Sequence, residues 1–143
     1  FKHRQEIIKY KDITIIDDSY NASPDSMRAA LLILKDMKAK RKIAVLADMR
    51  ELGEDEVNLH RQVAEFIKEN ACVDLLLTYG ELAKNIHDYV REHFSVCKAL
   101  HFDDKAELDT FLKKTVAAED VVLFKGSNSM KLFDSVDYIT DRK

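Results

Sequence analysis

Glycine is scarce in this chain: its 143 residues include three glycines, one proline, two cysteines and no tryptophan. Three scattered glycines cannot supply the Gly-x-x-x-x-Gly-Lys-Ser/Thr loop with which P-loop proteins cradle a triphosphate. Cys72 and Cys97 lie far apart in sequence, which argues against a disulfide framework and a zinc site. No apolar run approaches the roughly 20 residues that span a bilayer. We therefore expect reduced thiols, no metal site and no membrane partner.

Neither sign of charge dominates the chain, whose formal net charge is -3 at pH 7. A general nucleic-acid binder needs clustered Lys and Arg to neutralise phosphates, so we expect no nucleic-acid partner. The composition, 46% hydrophobic and 34% charged, is that of a globular protein, and the length fits one domain, 1–143. Because the chain starts with Phe rather than Met, we expect a fragment that lacks upstream domains.

Short apolar runs alternate with longer amphipathic segments along the chain. The apolar runs predict strands at 6–11, 12–17, 43–47, 73–78, 96–102 and 121–124. The periodic segments predict helices at 24–38, 54–70, 81–94, 105–116 and 129–140. Continuously apolar strands are typical of parallel sheets covered on both faces. The pattern therefore predicts a three-layer α/β domain, with a mostly parallel sheet of about six strands flanked by helices.

The first polar junction joins the strand at 12–17 to the helix at 24–38. Asp17 and Asp18 end the strand, Tyr20 and Asn21 follow in the turn, and Pro24 opens the helix. Open α/β sheets bind their ligands at the carboxyl ends of their strands, where these groups lie. Paired acids at such a place can bind ribose hydroxyls, hold a magnesium ion, act as a base, or form a solvated turn. The junction predicts a nucleotide or polyphosphate site.

A second junction follows the strand at 43–47. Asp48 ends this strand, Gly53 lets the loop turn, and His60 lies one to two turns into the next helix. Asp48 and His60 are candidates for the same ligand-binding edge. A helical histidine is more often packed or on the surface than bound to a ligand, so His60 is the weaker candidate.

A third junction follows the strand at 121–124. Lys125 closes the strand, Gly126 permits a turn, and Ser127 and Ser129 open the predicted helix. Free N–H groups and the dipole at a helix N-terminus favour anions, so the turn predicts an anion site. Helix capping by one of the serines is the alternative, although it does not explain a lysine at the end of a strand.

Together the three junctions resemble the C-terminal domain of the Mur ligases. Residues 17–24 read Asp-Asp-Ser-Tyr-Asn-Ala-Ser-Pro, where the family has Asp-Asp-Ser-Tyr-Asn-Ala-Asn-Pro. Residues 48–53 with His60 are similar to the family's Asp-Met-x-Glu-Leu-Gly…His segment, and residues 125–130 to its Lys-Gly-Ser-Arg-x-Met turn. Three residues depart from the pattern, since Ser23 replaces Asn, Ala47 replaces Gly and Asn128 replaces Arg.

The resemblance implies a Rossmann-like domain of a ligase with two further domains, an N-terminal one for a UDP-sugar and a central P-loop ATPase. The branch it resembles uses ATP, with Mg²⁺ bound mainly by the central domain, to activate UDP-N-acetylmuramoyl-tripeptide as an acyl phosphate. The amine of D-Ala-D-Ala then attacks, in peptidoglycan precursor synthesis in the bacterial cytoplasm. The expected partners are the chain's own N-terminal and central domains and these substrates, in a monomer.

The resemblance also implies roles for individual residues. Four are implied to contact ATP across the closed domain interface: Arg4, Asp18, Tyr20 and Asn21. Five are implied to face the incoming dipeptide and the phosphoryl groups: Lys125, Gly126, Ser127, His60 and Asp48. By itself this domain is expected to be catalytically inert.

Two alternatives remain at this point. A related ligase, such as folylpolyglutamate synthase or another Mur enzyme, carries a His-containing turn where this chain has Tyr20 and Asn21. A phospho-acceptor receiver domain, from a different class, also has paired acids, a later Asp and a lysine at a strand end. In a receiver, however, the acceptor Asp follows a later strand than Asp48 does, and proline stands where this chain has Gly126.

Overall fold

A six-stranded sheet forms the centre of the structure, a computed structural model that describes residues 2–142. The strands are β1 (Glu6–Tyr10), β2 (Ile13–Asp18), β3 (Arg41–Ala47), β4 (Leu75–Tyr79), β5 (Lys98–Phe102) and β6 (Asp120–Lys125). The helices are α1 (Pro24–Asp36), α2 (Glu56–Asn70), α3 (Lys84–His93), α4 (Lys105–Thr115) and α5 (Leu132–Ile139). The strand order is β1-β2-β6-β3-β4-β5, and β1 alone pairs antiparallel with its neighbour. The predicted three-layer, Rossmann-like α/β fold is confirmed.

Two apolar clusters lie on opposite faces of the sheet, because successive residues of a strand point in opposite directions. From β3, Ala44 and Leu46 pack in the cluster that contains α1, α2 and α3. Ile43 and Val45 pack in the cluster that contains α4 and α5. Since both faces are covered, the central strands are apolar throughout and show no polar alternation in the sequence.

The sheet order brings together strand ends that are distant in sequence. β6 lies between β2 and β3, and all three run in parallel. The register places Lys125 beside Asp18 of β2 on one side and beside Leu46 of β3 on the other. The three polar junctions predicted from the sequence therefore meet at one carboxyl edge of the sheet.

The start of the last helix differs from the prediction. The helix predicted to begin at Ser129 begins at Leu132, after a short 3-10 turn at Asn128–Met130. Lys131, between the two, adopts a left-handed backbone with φ of 54°, which an α-helix cannot continue through. Other boundaries agree to within a few residues.

Both cysteines are buried and free. Burial raises the pKa of the Cys72 thiol, and it raises that of Cys97 to about 12. Such thiols are protonated and behave as small apolar side chains. In the part of the chain from 2 to 142, no helix combines the length and the apolar character that a membrane crossing requires.

Candidate ligand-binding site

A cavity of about 500 Å³, the first cavity, opens where β2 ends and α1 begins. The four residues expected to contact ATP all line it, although Arg4 precedes β1, Asp18 ends β2, and Tyr20 and Asn21 follow β2. The full lining is Arg4, Gln5, Asp18, Tyr20, Asn21, Ala22, Ser23, Ser26 and Lys125. Ser23 also caps α1, since its hydroxyl accepts the N–H of Ser26 at 3.2 Å.

Arg4 and Tyr20 form a cation–π pair at this cavity. The guanidinium carbon of Arg4 lies 4.0 Å from the centroid of the Tyr20 ring, and Tyr20 is 44% exposed. Within residues 2–142, Arg4 has no carboxylate partner. A permanent positive charge beside an exposed aromatic ring can take up a phosphate group or stack on a planar base.

Asp18 and Lys125 form a buried ion pair at the floor of the first cavity. Lys125 Nζ donates to Asp18 Oδ2 at 2.9 Å and to the carbonyl of Asn21 at 3.0 Å. Asp18 Oδ1 accepts the N–H of Gln5 at 3.2 Å. Asp18 compensates the charge of Lys125, and the bond of Lys125 to the Asn21 carbonyl holds the turn after β2. Arg4 is therefore the uncompensated cation among the residues that line this cavity. Lys125 thus lines the first cavity together with the four residues expected to contact ATP, and its role toward the dipeptide and the phosphoryl groups stays a prediction.

Asp17, the other acid of the pair, points away from the first cavity and is fully buried. Its Oδ2 accepts a hydrogen bond from His3 Nδ1 at 2.6 Å, and its Oδ1 accepts the N–H of Ser19 at 3.2 Å. His3, Glu6 and Asp17 each place one potential metal-ligand atom within 4.8 Å of the others. In this structure His3 is bonded to both acids, through its ring Nδ1 to Asp17 and through its backbone N–H to Glu6.

A second cavity, of about 480 Å³, shares Tyr20 and Asn21 with the first. Loops that follow β2, β3 and β6 form its lining: Tyr20, Asn21, Arg50, Glu51, Ser127, Asn128 and Ser129. Hydrogen bonds of Ser127 join the loops after β3 and β6. The hydroxyl of Ser127 accepts the N–H of Arg50 at 2.8 Å, and the N–H of Ser127 donates to the carbonyl of Asp48 at 2.9 Å.

Ser127 precedes a short 3-10 turn and not an α-helix. Its hydroxyl accepts the N–H of Arg50 and makes no capping hydrogen bond to the 3-10 turn, and α5 begins five residues later, at Leu132. The prediction that this turn opens directly into α5 is wrong, whereas the anion site at the turn stays a prediction. The turn lines the second cavity, and Ser127 bonds it to the loop after β3.

Asp48 lies buried beneath the second cavity. Its Oδ1 accepts the N–H of Ala83 at 2.7 Å. Its Oδ2 accepts no hydrogen bond from residues 2–142 and lies 3.5 Å from Arg50 Nη2, close enough for an ion pair but not aligned for a hydrogen bond. Arg50 is half exposed, so the buried carboxylate orients a guanidinium that reaches the cavity.

His60 is fully buried and lines neither cavity. Its Nε2 accepts the N–H of Met49 at 3.0 Å, and its Nδ1 donates to the carbonyl of Glu56 at 2.7 Å. These bonds require the neutral ring with the proton on Nδ1, and burial lowers the pKa of His60. His60 therefore holds the loop after β3 in place.

Gly126 lies where two strand ends approach closely. A Cβ at Gly126 would lie 2.6 Å from Cβ of Ala47, a distance that real contacts do not reach. Ala47 stands where the Mur ligase pattern has glycine, and the missing side chain of Gly126 leaves room for the methyl group of Ala47.

Sequence reasoning missed several lining residues. Gln5 and Ser26 enter the first cavity, and Arg50, Glu51 and Asn128 enter the second. Arg50 and Glu51 do follow directly on Asp48 at a strand end, which is the signal that could have identified them. Nothing local in the sequence indicates Gln5, since the fold alone brings it to Asp18.

Known proteins match this chain in sequence and in structure. A profile of the family described as Mur ligase, glutamate ligase domain, matches residues 3–128. A curated relative from Bacillus subtilis (strain 168), named UDP-N-acetylmuramoyl-tripeptide--D-alanyl-D-alanine ligase, is 36% identical over 135 residues, 93% of this chain and 29% of the relative. Its namesake from Escherichia coli (strain K12) is 37% identical over 126 residues, 85% of this chain and 26% of that protein.

The fold of this chain is also similar to that of a solved ligase structure. The crystal structure of MurF ligase from Thermotoga maritima in complex with ADP has a TM-score of 0.82 and 25% identity, covering 99% of this chain and 31% of that chain. This chain thus spans about a third or less of the length of the relatives it matches.

Proposed function

We propose, since this chain belongs to the Mur ligase family, that it is the C-terminal domain of an ATP-dependent ligase that forms amide bonds. The substrates follow from the relatives, whose names specify UDP-N-acetylmuramoyl-tripeptide and D-alanyl-D-alanine. The domain would act beside a UDP-sugar domain and an ATPase domain of the same parent chain. Family membership also removes the receiver-domain alternative.

The proposed reaction has two steps. A carboxylate oxygen of the tripeptide attacks the γ-phosphorus of ATP, and ADP leaves, which gives an acyl phosphate. The amine of D-Ala-D-Ala then attacks the acyl carbon, phosphate leaves with the C–O bond electrons, and the nitrogen loses a proton. Such transfers depend mainly on positioning and on neutralising charge, which a binding domain can provide. Mg²⁺ would be bound mainly by the ATPase domain.

The first cavity would close over ATP. The observation that carries this assignment is the uncompensated guanidinium of Arg4 held 4.0 Å from the exposed ring of Tyr20. Arg4 would neutralise phosphate charge, and Tyr20 and Asn21 would contact the nucleoside. Asp18 would accept a ribose hydroxyl, because a carboxylate with two hydrogen bonds keeps acceptor capacity.

The second cavity would receive the dipeptide. D-Ala-D-Ala is a zwitterion until its amine is deprotonated for attack, and the lining offers one residue of each charge sign, Arg50 and Glu51. Asp48 would act through Arg50, which it orients, and His60 through the loop that it holds. Ser127 would border both the dipeptide and the departing phosphate.

The test uses the parent chain with its upstream domains, whose reading frame should encode a P-loop. We expect phosphate release that requires ATP, UDP-N-acetylmuramoyl-tripeptide and D-Ala-D-Ala together. Arg4→Ala should lower kcat/KM for ATP at least about tenfold, as expected for loss of a charge-assisted hydrogen bond. Arg91→Ala, at an exposed arginine of α3, is the matched control and should leave it unchanged.

Alanine at Asp18 or Lys125 is a poor test, because each would leave the other charge buried without its partner. Asp18→Asn retains an acceptor for Lys125 and removes the charge, so it tests the site with less risk to the fold. Equal kcat/KM for ATP in Arg4→Ala, Asp18→Asn and Arg91→Ala would contradict the assignment of the first cavity.

A further inference from the structure

Arg4 lies between two residues whose backbones are in an uncommon conformation. His3 has φ of 64° and Gln5 has φ of 48°, and neither is glycine. Non-glycine residues with positive φ persist where surrounding contacts hold them, and they cluster at ligand-binding sites. Both residues are held here: Gln5 donates its N–H to Asp18, and His3 has its own set of partners.

His3 is held from four directions. Its Nδ1 donates to Asp17 Oδ2 at 2.6 Å, and its ring stacks on Phe133 of α5 with centroids 5.0 Å apart. Its N–H donates to Glu6 Oε1 at 3.2 Å, and its carbonyl accepts the N–H of Tyr20 at 2.9 Å. The last bond is the informative one, because it ties the residue before Arg4 directly to the residue whose ring Arg4 covers.

Asp17 also holds the turn that carries Tyr20. It is fully buried, and through Oδ1 it accepts the N–H of Ser19, the residue before Tyr20. One carboxylate therefore anchors the residue that precedes Arg4 and the residue that precedes Tyr20. Neither His3 nor Asp17 lines the first cavity.

We infer that His3 and Asp17 are a positioning pair, which sets the Arg4 guanidinium over the Tyr20 ring in the orientation that meets ATP. The inference rests on the proposed function, in which Arg4 is the ATP-contacting cation. Asp17 would thus position Arg4 and Tyr20, whereas Asp18 would contact ATP itself. A small displacement of a charged contact can lower a rate by about a hundredfold, so positioning alone can matter.

Variants of His3 in the parent chain separate its side-chain bond from its backbone. Asn tolerates positive φ, and its amide nitrogen occupies the place of the His Nδ1 donor, so His3→Asn should keep kcat/KM for ATP within about threefold. Gly tolerates positive φ even better but cannot reach Asp17, so His3→Gly should lower kcat/KM for ATP about tenfold or more. The KM for D-Ala-D-Ala should stay unchanged in both.

A double-mutant cycle with Arg4→Ala distinguishes positioning from a general loss of structure. If His3 acts through Arg4, then His3→Gly should have little further effect on kcat/KM for ATP once Arg4 is Ala. Equal effects of His3→Gly in both backgrounds, or a loss with His3→Asn as large as with His3→Gly, would overturn the inference. If Arg4→Ala alone changed nothing, the ATP-contacting role in the proposed function would be wrong, and this inference with it.

Discussion

Asp17 and Asp18 are neighbours in sequence, yet the strand directs them to opposite sides of the sheet, because side chains alternate along β2. Asp18 reaches the first cavity and pairs with Lys125. Asp17 turns inward to His3 and Ser19. Both acids are buried and both have partners, so neither is a solvated turn residue.

His60 makes the free energy of unfolding of this chain depend on pH. Its folded-state pKa lies below the ordinary 6.5, mainly because burial disfavours the charged ring. Between the two values the unfolded chain binds more protons, so the free energy of unfolding falls as the pH drops below about 6.5, by at most about 1.4 kcal/mol per pH unit. Urea unfolding at pH 7.5 and pH 5.5 measures this.

The substitution His60→Gln removes the titrating group, so the variant should lose less stability than the wild type between those two pH values. It should also be less stable at pH 7.5, since the bond network to Met49 and Glu56 is disturbed. His93→Gln, at an exposed histidine, is the control and should keep the wild-type difference. An identical pH difference in His60→Gln would contradict this account.

At the scale of elements, the loops after the strands depend on two glycines for different reasons. Gly80 has φ of 110°, and a Cβ there would lie 2.4 Å from Asp48 Oδ1 and 2.7 Å from Met130 Cε. Gly53 has φ of 79°, but a Cβ there would contact nothing within 4 Å. Gly80 thus combines a backbone requirement with a packing requirement, and Gly53 has only the first.

We therefore expect Gly80→Ala to lower the free energy of unfolding by about 3 kcal/mol or more, through overpacking of the Asp48 carboxylate. Gly53→Ala should lower it by only about 1 kcal/mol, the cost of a left-handed backbone for a residue with a Cβ. Urea denaturation of both variants provides the comparison. Similar losses for the two would show that backbone strain, not contact with Asp48, governs Gly80.

The strands and helices were predictable because their signals are local. β3 is a continuous apolar run, and α1 starts with Ser23 and Pro24, a cap and a first-turn residue that the structure confirms. The start of α5 was not, because no local signal marks the left-handed backbone of Lys131, whose carbonyl accepts a tertiary hydrogen bond from Lys105 Nζ at 3.0 Å. Propensity carries no information on such contacts.

The candidate site, too, was predictable from the sequence only in part. Strand ends with polar residues identified the edge of the sheet, since parallel strands end together. The register between β2 and β6, which pairs Asp18 with Lys125, follows from packing over the whole sheet. Sequence spacing could not show that Lys125 is neutralised by Asp18, or that His60 is fully occupied within the domain.

At the scale of the whole molecule, the two apolar clusters share one sheet, so the domain should fold as a unit even without further domains. Chain 1–143 should unfold in urea in one transition, coincident by fluorescence and circular dichroism. In the proposed function, however, its two cavities would have to face a P-loop, and the 143 residues contain none. The isolated chain should therefore release no phosphate with ATP, D-Ala-D-Ala and UDP-N-acetylmuramoyl-tripeptide, whereas the parent chain should. If the isolated chain released more phosphate with these substrates than without them, the proposed need for further domains would be contradicted.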